Sequence, residues 1–102
     1  MGSLPVTLSV RSAQDLQQVN GIVVDPRNPK NVFAAGPAGI FYSNDGGLTW
    51  DARNNGLTPA TFTALTLNPQ RPDTLFAITL EGALYRSDDG GKNWKAVKTN
   101  SP

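Results

Sequence analysis

Residues 43–50 read SNDGGLTW and residues 87–94 read SDDGGKNW, so a chain of 102 residues writes nearly the same eight-residue phrase twice, 44 positions apart. Each phrase lies between two apolar runs and centres on Asp-Gly-Gly. That centre signals a tight hairpin connection, in which glycine supplies backbone angles that other residues avoid. Asp45 and Asp89 are placed to accept N–H bonds from their turns, and the hydroxyls of Ser43, Ser87 and Thr49 to add side-chain bonds. Trp50 and Trp94, just past the turns, are expected to cover them and bury a large apolar area. Each phrase therefore predicts a turn stapled by its own side chains.

Working outward, the likeness extends well beyond the two phrases. At an offset of 43, IVVDPRNPKNVFAAG from Ile22 matches LTLNPQRPDTLFAIT from Leu65, with Pro26 over Pro69, Pro29 over Pro72, and Phe33-Ala34 over Phe76-Ala77. One extra residue near Ala83 shifts the offset to 44, and IFYSNDGGLTWDA then matches LYRSDDGGKNWKA. A repeat of this length is the mark of a stacked supersecondary unit. Within each copy the apolar runs are short, rich in Val, Ile, Phe, Leu and Thr, and bounded by Pro, Gly or Asn, which predicts strands. Four are expected per copy: residues 21–24, 31–35, 39–43 and 49–53 in the first, 63–67, 74–79, 83–87 and 93–97 in the second. Only residues 12–19 carry helical character, with Ser12 as a cap, over barely two turns. If the register runs further back, residues 6–10 form an orphan strand from a preceding unit.

The pattern Ser-x-Asp-x-Gly-x-Thr-Trp resembles the Asp-box, or BNR repeat, of sialidase-like and related β-propellers. Ser43, Asp45, Gly47, Thr49 and Trp50 fill all five fixed positions. The second copy fills them with Ser87, Asp89, Gly91 and Trp94 but departs at Asn93, a residue that can still hydrogen-bond there. The resemblance covers about four-fifths of the chain, and the repeat length suits one four-stranded propeller blade. It implies an all-β fold of two antiparallel four-stranded blades, with blade 1 at 21–62, blade 2 at 63–98, an N-terminal segment at 1–20 and a tail at 99–102. It implies a structural role for the boxes, which in the family lie on the rim away from active sites; function has to be argued from a site, not from a fold.

Composition narrows the chemistry. The chain has no cysteine and no histidine, which removes disulfides, thiolate chemistry and imidazole acid/base work. Nine basic and eight acidic side chains give a net charge of +1 with no basic stripe, so a nucleic-acid partner is not expected. No apolar run approaches a membrane span, and Met1-Gly2-Ser3 reads as a cloning remnant rather than the charged start of a signal peptide. No cofactor or metal is expected: the boxes look superficially like calcium loops but lack the alternating oxygen ligands and the closing bidentate glutamate. The compartment is not legible, though the family resemblance implies a secreted or periplasmic parent.

A glycosidase needs two carboxylates facing each other across a cleft. Asp45 and Asp89 belong to turns, while Asp25 and Asp73 sit beside prolines in expected loops. Glu81, in TLEGAL, is the carboxylate with no assigned partner, and its bland reading is a solvated loop charge. The repeat also resembles the blades of xyloglucanase-like glycosidases, in which a catalytic aspartate precedes the third strand; the matching positions here are Pro37 and Leu80, and neither transfers a proton. A sialidase-like site needs clustered arginines, whereas Arg11, Arg27, Arg53, Arg71 and Arg86 are spread along the sequence. Tyr42 and Arg86 occupy equivalent positions with different chemistry, so with Glu81 they are the candidate ligand-contacting residues. The expectation is a non-catalytic structural module, with a carbohydrate-binding lectin or a fragment of an Asp-box glycosidase as alternatives. Two blades cannot close a ring, so self-association is expected; rings of about four to eight blades make that a dimer, trimer or tetramer, the trimer favoured.

Overall fold

The computed structural model describes residues 18–97, all strand, turn and loop. β1 (Gly21–Val24), β2 (Val32–Gly36), β3 (Gly39–Ser43) and β4 (Asp51–Ala52) form one four-stranded antiparallel sheet in chain order. β5 (Phe62–Asn68), β6 (Arg71–Thr79), β7 (Leu84–Ser87) and β8 (Lys95–Ala96) form a second sheet of the same order. Two successive up-and-down sheets are what a two-copy repeat of β-branched and aromatic runs separated by turn residues should produce. The expected strand at 6–10, the helical turn at 12–19 for the most part, and the tail at 99–102 lie outside the described residues.

Boundaries differ from expectation where a backbone donor goes elsewhere. The fourth strand of each sheet is only two residues long because the N–H groups ahead of it leave the ladder. Thr49 and Asn93 give theirs to the carboxylates of Asp45 and Asp89, each at 2.9 Å, and Trp94 gives its own to Asn55 O at 2.9 Å. β5 begins at Phe62, inside the expected loop, since Phe62 pairs with Thr79 across a bulge that precedes Ala64. β6 begins at Arg71, so Asp73 lies in a strand and not in the loop assigned to it.

Residues paired directly across a ladder share a face. In the first sheet the register puts Gly21, Val23, Phe33, Ala35, Ile40 and Tyr42 on one face. That face meets Leu65, Leu67, Leu75, Ala77 and Tyr85 of the second sheet, and the two sets form a single apolar cluster with Phe62 and Trp94. β1 and β2 lie against β5, with the backbone of Gly21 so near β5 that an added Cβ would sit 3.5 Å from Leu65 N. The core is therefore the seam between the sheets, and each sheet alone would leave half of it wet.

Candidate functional site

The two boxes fold alike, atom for atom in most respects. Ser43 Oγ donates to Asp45 Oδ1 at 2.7 Å and accepts from the N–H groups of Asp45 and Gly47. Asp45 Oδ1 also accepts from the N–H groups of Leu48 and Thr49, and its Oδ2 from Thr49 Oγ1 at 2.6 Å. In the second box Ser87 Oγ donates to Asp89 Oδ1 at 2.9 Å and accepts from Asp89 and Gly91, while Asn93 supplies both its N–H and its Nδ2 to the carboxylate. A carboxylate ringed by donors is held ionised. Asp45 is drawn down to about 2, chiefly by the Thr49 hydroxyl. Asp89 is likewise drawn down to about 2, chiefly by the Asn93 side chain. Gly47 and Gly91, at φ of 99° and 84°, turn the chain so that each tryptophan ring lies over its glycine, the nearest ring carbon 3.5 and 3.6 Å from where a Cβ would be.

The second box also receives the segment that leaves β4. Trp94 Nε1 donates to Arg53 O at 2.8 Å, and Arg53 Nη1 donates to Gly90 O at 3.0 Å. Gly56, at φ of 94°, passes Trp94 so closely that a Cβ there would stand 2.2 Å from Trp94 O. Asn55 donates its side-chain amide to Asn93 Oδ1. Asn93 thus donates to its own Asp89 through Nδ2 and accepts from Asn55, in the segment that follows β4, through Oδ1. Its departure from the pattern serves the seam.

The three candidate ligand-contacting residues are not brought together. Tyr42 is half-buried in the seam, its hydroxyl donating to Asn31 Oδ1 at 2.8 Å and its ring covered by the Arg53 guanidinium, 4.0 Å from the centroid. Arg86 is exposed on the far face of the second sheet, paired with Asp88 at 2.9 Å and lying over the Phe76 ring. Glu81 is exposed in the β6–β7 turn. Pro37 and Leu80, the positions matched to a catalytic aspartate, are exposed residues ahead of β3 and β7.

Two open hollows flank the boxes. One, of about 430 Å³, runs between the sheets past Tyr42, Arg53, Asp25, Asp89 and Lys92. The other, of about 510 Å³, gathers Arg27 of the β1–β2 loop, Arg71 at the start of β6 and Arg86 of β7, which are spread along the sequence. Arg27 lies 3.6 Å from Asp73, and Arg86 is held by Asp88, so carboxylates already balance two of the three guanidinium groups. Among the described residues no group of three or more acidic side chains is gathered in a way that could hold a metal ion. Gly56 and the exit segment are the features the sequence does not announce; the signal is a glycine four residues past Ala52, where the aligned box ends.

Comparison with known proteins agrees with this geometry. The BNR/Asp-box repeat family matches residues 41–52 and 85–96. A protein of Neosartorya fischeri named "Probable oligoxyloglucan-reducing end-specific xyloglucanase" is 31% identical over 96 residues, a match spanning 83% of this chain and 11% of that protein. Among solved structures, an ancestral GH74 enzyme superposes with a TM-score of 0.72 at 17% identity, over 82% of this chain and 13% of the other. The GH74 enzyme of Niastella koreensis gives 0.67 at 26% identity, over 79% and 14%. YCF48 from Cyanidioschyzon merolae gives 0.64 at 23%, over 96% and 26%. The chain spans about a tenth of the curated relative it matches. It consists, in its described part, of two Asp-box β-propeller blades, related to the GH74 xyloglucanases.

Proposed function

We propose that the chain is a structural propeller module: two blades with no catalysis of their own, which complete their packing by self-association. The observation that carries this reading is the state of the two box carboxylates. Both oxygens of Asp45 and of Asp89 accept bonds from their own turn, so neither is free to move a proton or hold a substrate. Several of the relatives are glycoside hydrolases of which this chain matches a small part, and the resemblance to xyloglucanase-like blades sets Pro37 and Leu80 at the position expected for an acid. Incubation with aryl glycosides and xyloglucan oligosaccharides is expected to give no turnover above background. Turnover that disappears in Glu81→Gln would overturn the reading and make Glu81 a catalytic acid.

A second reading, a carbohydrate-binding module, draws on the hollow between the blades, where an aromatic ring and several carboxylates meet. It ranks second because Arg53 already covers the Tyr42 ring face on which a sugar would stack. Screening on a glycan array separates the two, and specific capture abolished by Tyr42→Ala would favour the second.

A further inference from the structure

Asn55 ties blade 1 to blade 2 with both its main chain and its side chain. Its carbonyl accepts the Trp94 N–H at 2.9 Å, and its Nδ2 donates to Asn93 Oδ1. Gly56, next in the chain, has φ of 94°, and an added Cβ would stand 2.2 Å from Trp94 O, so the position demands glycine. The seam is thus built on an asparagine-glycine pair, the sequence in which a side-chain amide is lost most readily, because glycine leaves its own nitrogen unshielded. Both residues are exposed, in a turn closed by the Leu57 N–H on Asn54 O at 2.9 Å. Among the described residues no acceptor takes the Gly56 N–H. The chain's other asparagine-glycine pair, Asn20-Gly21, is placed differently. Gly21 lies in β1 in register with Ala35, its backbone packed on β5, and Asn20 Nδ2 is held by Phe62 O at 2.9 Å in a part-buried bond.

We propose that Asn55 is a site of spontaneous deamidation, with water as the co-reactant, and that its conversion loosens the seam. Gly56 N gives its proton to solvent and attacks Asn55 Cγ; the N–Cγ bond forms, the Cγ–Nδ2 bond breaks, and Nδ2 leaves as ammonia with a proton returned from solvent. Water then opens the cyclic imide. Addition at Cγ gives ordinary aspartate, and addition at the main-chain carbonyl gives its β-linked isomer. The nitrogen that leaves is the donor to Asn93. Aspartate in its place sets a carboxylate against Asn93 Oδ1, itself an acceptor, while Asn93 Nδ2 is bound to Asp89 Oδ2 at 2.9 Å. Turning the Asn93 amide over would serve the new carboxylate only by taking Nδ2 from Asp89. One bond is lost either way, and two carboxylates then flank one amide. The β-linked product goes further: it adds a methylene to the main chain inside the turn and makes a carboxylate of the carbonyl that receives the Trp94 N–H. Every group involved belongs to blades 1 and 2 of one chain, so the reaction and its effect need no other blade or copy.

The test incubates the full chain, folded, in mildly alkaline buffer, where the Gly56 N–H gives up its proton more readily, and samples it for peptide mapping, released ammonia and thermal melting. Asn55 is expected to convert first, to aspartate and its β-linked isomer, with ammonia released in step and Asn20 still intact. The converted protein is expected to melt about 4 °C or more below the starting material. Freshly made Asn55→Asp should show that lower Tm from the outset. Asn55→Gln, whose longer side chain would have to close a larger ring, is expected to keep its amide and its initial Tm through the same incubation. Should Asn55→Gln fail to fold, Asn55→Ser, which has no amide to lose, takes its place. Folded protein in which Asn55 stays intact, or in which Asn20 converts ahead of it, would overturn the modification site. Conversion that leaves Tm unchanged, or Asn55→Asp melting with the wild type, would overturn its effect on the seam.

Discussion

At the scale of single residues, the two box aspartates are positioned by what they accept. Replacing Asp45 by alanine strands the N–H groups of Leu48 and Thr49 and the hydroxyl of Thr49. Thermal melting is expected to show Tm lowered by about 5 °C or more, in Asp89→Ala as well. The same carboxylates make stability depend on acid. Their folded values, about 2, lie below the ordinary 3.8, so their contribution is present above about 3.8 and is lost as pH falls through about 2. Tm measured down that range is expected to fall, and to fall less steeply in the double variant Asp45→Asn, Asp89→Asn. Salt and solvent screen part of the effect, since both groups lie near the surface. The box was legible in the sequence because its chemistry is local: every partner of Asp45 stands within four residues of it. Asn93 was legible only in part, because its second partner, Asn55, is 38 residues away.

At the scale of elements, strand existence could be read from composition, but strand ends could not. The two-residue length of the fourth strands is not legible in the sequence, because nothing local reveals that Trp94 sends its N–H to Asn55 of the preceding blade. Nor does alternation reveal which face is free. Ile22 and Val23 are equally apolar, and only the neighbouring blade decides that Val23 packs while Ile22 stays wet. The exit segment offers a controlled test. Gly56 and Gly82 share φ near 93°, yet an added Cβ meets Trp94 O at 2.2 Å at the first and nothing within 4 Å at the second. Gly82→Ala is expected to cost about 1–2 kcal/mol, the left-handed strain alone. Gly56→Ala is expected to cost several times more, since backbone must move, and denaturant titration of the two side by side measures the seam contact by difference.

At the scale of the whole molecule, the blades share one core and are expected to unfold together. Trp50 and Trp94 sit one in each blade, so Trp94→Phe and Trp50→Phe each leave a single reporter. Coincident melting curves followed by fluorescence and by circular dichroism are the expected outcome for both variants; two separated transitions would show that the seam does not couple the blades. The tether that closes each turn has one more effect. Gly46 N–H is bound to Lys30 O and Gly90 N–H to Asp73 O, each at 2.9 Å. Those two nitrogens follow Asp45 and Asp89 in the chain, and in an open peptide such a nitrogen attacks the aspartyl carbonyl to give a succinimide and then isoaspartate. Here the nucleophile is engaged and the carboxylate ionised, so the folded state suppresses its own chemical ageing. Isoaspartate at these two bonds, read by peptide mapping after long storage, would therefore record how often each molecule has opened.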